Sequence, residues 1–337
     1  SLTIDGDWDV GTTGGGTHDL SGGDLTVNGA SIANAGTVRL QGGEAVTLTP
    51  LFDDTQGTVE HDGAVVYPGL PFGASYFDLS FAGTGTWDLA ADTTINNNLG
   101  VNSGTLQSNG NNLTVNGNAT VGGEIDAGAG GDVAITGSLN GAGTLTGGPG
   151  AIDINGNLGN TTPLGAITTS STTTSLAGAT ADFTGTTFND GGGPVVFDGT
   201  TTLSTGAGLT LGDVELGDGT TGGSLTTTGD LSIAGTLTVF NGGPTTLDIS
   251  DDILTVDQII NSANLDNLTA TNSELVLTGN NTGANAFDNQ TGASLGDLTI
   301  SGSLELANTL DLAGTLTITG TGTLDAAGND ILLGGNW

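Results

Sequence analysis

The sequence predicts an all-β fold, a parallel β-helix (β-solenoid) with rungs of about 20 residues, and three observations predict it. The first is alternation: short runs with two apolar side chains on one face and polar groups on the other, each closing on Gly. Examples are Leu25-Thr26-Val27-Asn28-Gly29, Leu113-Thr114-Val115-Asn116-Gly117, Val133-Ala134-Ile135-Thr136-Gly137 and Leu316-Thr317-Ile318-Thr319-Gly320. A period of two is that of a half-buried strand, and Gly after it permits a tight corner. The second is spacing. Gly117, Gly137 and Gly156 lie 20 and 19 residues apart, and Leu106, Ile125 and Leu145 lie 19 and 20 apart. Inside that period Leu298, Leu304, Leu310 and Leu316 step by six, which suits three short faces per turn. Antiparallel sandwiches and barrels have short strands too, but need no such nested recurrence. The third is duplication. Residues 77–118 resemble 296–337, with Leu79 and Leu298, Leu106 and Leu324, and Leu113 and Ile331 paired at offsets of 219, 218 and 218 residues.

Taken along the chain, the pattern reads as a single continuous β-solenoid over 1–337. Two stretches interrupt it. Residues 50–76 hold Pro50, Pro68 and Pro71 among Phe52, Tyr67, Phe72 and Tyr76, and 182–199 hold Phe183, Phe188 and Phe197 around a Gly-Gly-Gly-Pro turn. Proline suits strand edges and irregular backbone, so both are expected to be loop protrusions. Helices are not expected anywhere, because Gly interrupts nearly every window.

Composition narrows the partners. The chain has 36 acidic residues and one base, Arg39, for a net charge of −35. Such a surface repels phosphate backbones and anionic bilayers, which excludes nucleic acid and membrane insertion as expected partners. About a quarter of the residues are Leu, Ile, Val or Phe, above the roughly one-fifth at which acidic chains become disordered. No cysteine is present, so disulfides and thiolate metal sites are not part of the expectation. The sequence lacks Met and opens in mid-pattern on Ser1-Leu2-Thr3-Ile4, as a processed, exported chain would.

Modules of the form Leu298-Thr299-Ile300-Ser301-Gly302, Gly322-Thr323-Leu324-Asp325 and Ile331-Leu332-Leu333-Gly334-Gly335-Asn336-Trp337 resemble those of bacterial β-strand-repeat surface proteins. The style is similar to filamentous-haemagglutinin-like and autotransporter passenger β-solenoids. The resemblance covers 77–118 and 296–337 best and implies an extracellular or cell-surface structural protein.

Parallel β-helices also carry polysaccharide-cleaving enzymes, so the carboxylate groups need weighing. Asp53-Asp54, Asp251-Asp252 and the trio Asp213, Glu215 and Asp218 are the clusters, and His18 and His61 the histidines. Glycoside hydrolysis needs two carboxylates across one cleft, and cleavage of acidic sugars needs cations that this chain lacks. The expectation is no enzyme: no catalytic residue, no cofactor and no dedicated metal site, with calcium bound only loosely by acidic turns. The assembly interface is instead expected at the two ends, which break off in mid-pattern. Leu2, Ile4 and Trp8 would meet Ile331, Leu333 and Trp337 of another copy by strand addition. The expected role is therefore an acidic β-solenoid that self-assembles end to end, as a homopolymer, into a surface filament, sheath or layer. The alternative is an adhesin stalk whose aromatic loops bind a glycan or another ligand on a host or neighbouring cell.

Overall fold

In a computed structural model describing residues 1–11, 15–290 and 294–336, the chain is an all-β parallel β-solenoid. It has about 16 turns, about 21 residues apart. Two compact units divide it, Ser1–Thr172 and Thr173–Trp337. Among the described residues the helical content is two single 3-10 turns, Ser262–Asn264 and Gly283–Asn285.

In the first unit a long face runs Thr17–Asp19, Thr37–Leu40, Thr58–His61, Asp78–Phe81, Leu99–Val101, Ala119–Val121 and Leu139–Asn140, every pair parallel. A second carries Thr86–Asp88, Thr105–Gln107, Glu124–Asp126, Thr144–Thr146 and Ala166–Thr168. A third carries Thr93–Ile95, Leu113–Val115, Val133–Ile135 and Ile152–Ile154. Register is set by burial. Leu113, Val133 and Ile152 stand directly above one another and are all buried, as are Leu106, Ile125 and Leu145. A slip of one residue would turn each column to solvent and lose about 1.5–3 kcal/mol per side chain.

The second unit builds its columns the same way. Leu231, Leu254, Leu275, Leu298 and Leu316 form one continuous buried stack. The duplicated segments take up matching strands. Asp78–Phe81 and Asp297–Ile300 both bury their second and fourth residues, and Thr105–Gln107 and Thr323–Asp325 correspond with Leu106 buried and Leu324 half-buried at their centres. One copy lies in each unit.

The two interrupted stretches contain strands as well as turns. Within 50–76 lie Thr58–His61, Val66–Tyr67 and Ser75–Tyr76, with Tyr67, Phe72 and Tyr76 buried and Leu51, Val65 and Val66 exposed. Within 182–199 lie Thr187–Asn189 and Val195–Phe197, and Phe183 and Phe197 are buried. Their aromatic rings mostly widen the core rather than project from it.

Corners are where composition matters most. The Asn98 N–H donates to Asp78 Oδ1 (2.9 Å), that of Asn118 to Asn98 Oδ1 (3.1 Å), and that of Ser138 to Asn118 Oδ1 (2.8 Å). A parallel series joins Asn112 to Asp92 (2.9 Å), Asp132 to Asn112 (2.8 Å) and Ala151 to Asp132 (2.8 Å). The second unit repeats the device at Asp230, Asp213 and Asp297, which accept from Ile253, Thr236 and Thr315. A strand ladder stops at a corner, so the next N–H would lose its partner; a short side-chain oxygen one turn away supplies it. Many acids that composition suggests are merely solubilising therefore also hold the corners.

Close stacking of corners explains the glycine content. A Cβ on Gly63 would stand 1.4 Å from the Gln41 carbonyl oxygen, whereas one on Gly6 would meet nothing within 4 Å. We expect Gly63→Ala to destabilise the first unit by about 2–3 kcal/mol in chemical denaturation and Gly6→Ala to stay within about 0.5 kcal/mol. Equal effects would mean that turn-to-turn contact does not select glycine.

Candidate functional site

Sequence expects an assembly interface on the first and last strands. Leu2–Ile4 pairs with Leu25–Val27, and its Leu2 and Ile4 continue the inward columns above Leu25 and Val27. Leu2 is 42% exposed and Ile4 half-buried. Trp8 differs: it is only 3% exposed, enclosed by His18 (ring centroids 5.9 Å), Phe52 (6.4 Å) and Phe72 (6.5 Å). Its ring is thus part of its own unit's core. In the second unit Ile331 and Leu333 sit side by side on Ile331–Leu333, in register with Leu310 and Leu312 and half-buried. Between them Leu332 faces outward, 53% exposed. Trp337 lies outside the described residues.

Each carboxylate cluster is tied to its surroundings. Asp53 accepts from the N–H of Asn34 and of Thr55 and from the Thr55 hydroxyl, and Asp54 accepts from the Ser75 hydroxyl. Burial pushes Asp53 up, but those donors outweigh it and leave the group below its ordinary value. Asp252 accepts from Thr227 Oγ1 (2.7 Å) and the Gly229 N–H (2.9 Å). Asp218 sits in a turn where Thr220 and Thr221 donate through both backbone and hydroxyl, holding it well below the usual carboxylate range. Glu215 moves the other way, raised by burial and by neighbouring Asp213.

A buried polar group in the first unit was not foreseen. The Glu44 carboxylate is buried and accepts from the Tyr67 hydroxyl (2.6 Å) and the N–H groups of Gln41 (2.7 Å), Gly42 (2.7 Å) and Gly22 (3.0 Å). Burial pushes Glu44 up, but the Tyr67 and backbone donors win and leave it below the ordinary value. Tyr67 is correspondingly raised, by burial first and then by Glu44. Beside this pair lies His61, 0% exposed, stacked on Phe81 (5.3 Å, 20°) and edge-on to Tyr67 (5.3 Å, 80°). Among the described residues neither of its ring nitrogens has a hydrogen-bond partner. Burial lowers its pKa to about 4, against a smaller opposing pull from Glu44. On the outer side of the same strand, Arg39 Nε meets Glu60 at 2.7 Å and Asp62 at 3.5 Å.

Sequence could have found these pairs through the rung period. Arg39 and Glu60 are 21 apart and Glu44 and Tyr67 are 23 apart, one turn in each case. What sequence lacks is the inward orientation of His61, which alternation along Thr58-Val59-Glu60-His61 permits but composition disfavours. A sealed, neutral imidazole against aromatic faces is core packing. Among the described residues no group of three or more His, Cys, Asp or Glu could hold a metal ion.

No family model, curated protein or solved structure matches the chain.

The buried imidazole makes stability depend on pH with a definite sign. The folded state resists protonating His61 until about pH 4, while the unfolded chain protonates near 6.5. Below pH 6.5 the unfolded state therefore binds more protons, and stability falls as pH falls toward 4. Between pH 7 and 5 the loss should be about 2 kcal/mol in the first unit. Glu44, with its lowered pKa, keeps its contribution through that range and loses it only further down. We expect His61→Phe to flatten the pH 7-to-5 dependence of the unfolding midpoint. An unchanged slope would show that His61 is not the titrating group.

Proposed function

We propose that this chain is an extracellular structural protein, an acidic β-solenoid that assembles end to end into a surface filament, sheath or layer. The observation that carries the reading is the in-register stacking of apolar columns. Leu2 and Ile4 lie over Leu25 and Val27, and Ile331 and Leu333 over Leu310 and Leu312, so each of these strands carries two apolar side chains along the inward columns. A column of this kind is a template for a further parallel strand of the same phase, and matching apolar side chains make the addition favourable. Leu2, Ile4, Ile331 and Leu333 are the joint residues this reading uses; Trp8 supports the joint from within the core.

Head-to-tail contacts of this kind are heterologous, so they propagate instead of closing on a pair. Charge sets the conditions. A chain of net charge −35 repels its copies, so assembly should need salt or divalent cations, with calcium bridging acidic surfaces loosely. The likeness of the sequence modules to bacterial surface proteins points the same way and supports an extracellular or cell-surface location.

Electron microscopy of the purified chain, in low salt and with millimolar calcium, tests this. Long uniform fibres are expected with calcium, and deletion of residues 331–337 should abolish them while β-sheet circular dichroism persists. Single particles under both conditions would remove the assembly reading, and fibres unaffected by the deletion would remove the joint.

A further inference from the structure

Successive turns of the second unit do not pair everywhere. On the face formed by Leu209–Leu211, Leu231–Val239, Ile253–Ile260, Glu274–Leu277, Asp297–Ile300 and Leu316–Ile318, consecutive strands join in register. Among the described residues the strand one turn earlier, Thr187–Asn189, forms no ladder with Leu209–Leu211. Phase explains the break. Thr187–Asn189 turns its central residue, Phe188, inward, whereas Leu209–Leu211 buries its first and last. Two strands out of phase by one residue cannot pair and keep their apolar side chains on one side.

A cavity of about 370 Å³ opens at this break, wholly within the second unit. Phe183 and Phe188 form one wall, their rings edge to face at 5.8 Å. Thr205, Leu209 and Thr210 line the cavity as well, as do Gly185 and Gly208, where a Cβ would meet nothing within 4 Å. None of the lining side chains is charged, in a chain with 36 acids.

We propose that this cavity binds a neutral saccharide unit, an activity beyond the structural role above. A sugar ring offers an apolar face for Phe188 and equatorial hydroxyls for Thr205 and Thr210. An uncharged lining suits an uncharged ligand, since an acidic sugar would meet the field of the chain's own carboxylates. The volume admits one or two sugar rings and sits at the lower end for ligand sites.

Titration calorimetry of the full chain against a panel of neutral oligosaccharides (glucan, galactan, mannan and chitin fragments) tests the site. At least one should bind, Phe188→Ala should weaken it about tenfold or more, and Thr210→Arg should abolish it by filling the cavity. Circular dichroism checks the fold of both variants, and Thr210 is exposed, so its replacement leaves the core intact. The proposal is overturned if no member of the panel binds or if binding survives both changes.

Discussion

The whole architecture depends on parallel strands stacking in register one turn apart. Each backbone N–H and C=O within a strand is answered by the turn before or after, so a residue's decisive neighbour lies about 20 positions away. That single constraint dictates the rest. Inward positions must be apolar because every neighbour in the column is inward too, and mixed columns would bury unpaired polar groups. Outward positions are free of that demand, which is why Thr114, Ala134 and Asp153 follow one another without cost to the core beneath. Corners, where the ladder stops, must supply acceptors of their own. The Asp78–Asn98–Asn118–Ser138 series does so with the side chains that best mimic a backbone oxygen.

This gives the unusual charge a second meaning. Thirty-six acids with one base look like a coating for solubility, and net repulsion does keep such chains apart. Yet a carboxylate at a corner accepts N–H bonds at 2.6–3.0 Å, as at Asp297 and Asp213, and an ionised acceptor makes a stronger bond than an amide oxygen. Asp and Asn interchange along one series, Asp92 to Asn112 to Asp132, because geometry and not charge is what the corner requires. Acidity at corners is therefore compatible with stacking wherever the turns are close enough to share the proton donors. Where an acid is enclosed away from the surface, as Glu44 is, it needs four donors, and the fold provides them from three segments of chain.

Much of this was legible beforehand, for a physical reason. Period-two alternation in Leu113–Val115 or Val133–Ile135 is strong because these strands bury one face and expose the other. The turn length was legible because each column must repeat it. What could not be read was anything that depends on which way an out-of-pattern residue points. Tyr67, Phe72 and Tyr76 sit in a proline-rich stretch without alternation, and only packing shows that they face the core. His61 lies at an inward position that polarity alone would have turned outward. The Asx series at corners was visible as a 20-residue recurrence of Asp and Asn, but a donor one turn away is invisible until the turns are stacked. The placement of Trp8 inside its unit, against Phe52 and Phe72, likewise follows from tertiary contacts between residues more than forty positions apart.

Phase is the last link between stacking and function. A turn can present one inward side chain at the centre of a three-residue strand or two at its ends, as Thr105–Gln107 and Leu113–Val115 illustrate. Strands of like phase pair and seal; strands of unlike phase cannot, because sliding by one residue would expose the column. A sealed series is inert along its length and reactive only at an open edge, where an incoming strand of matching phase finds both hydrogen bonds and apolar contacts. A phase change inside the series, as between Thr187–Asn189 and Leu209–Leu211, goes with the complementary result, an opening lined by Phe188, Leu209 and Thr210. The same rule thus decides which strands of this chain lie sealed within a ladder and where a cavity interrupts one.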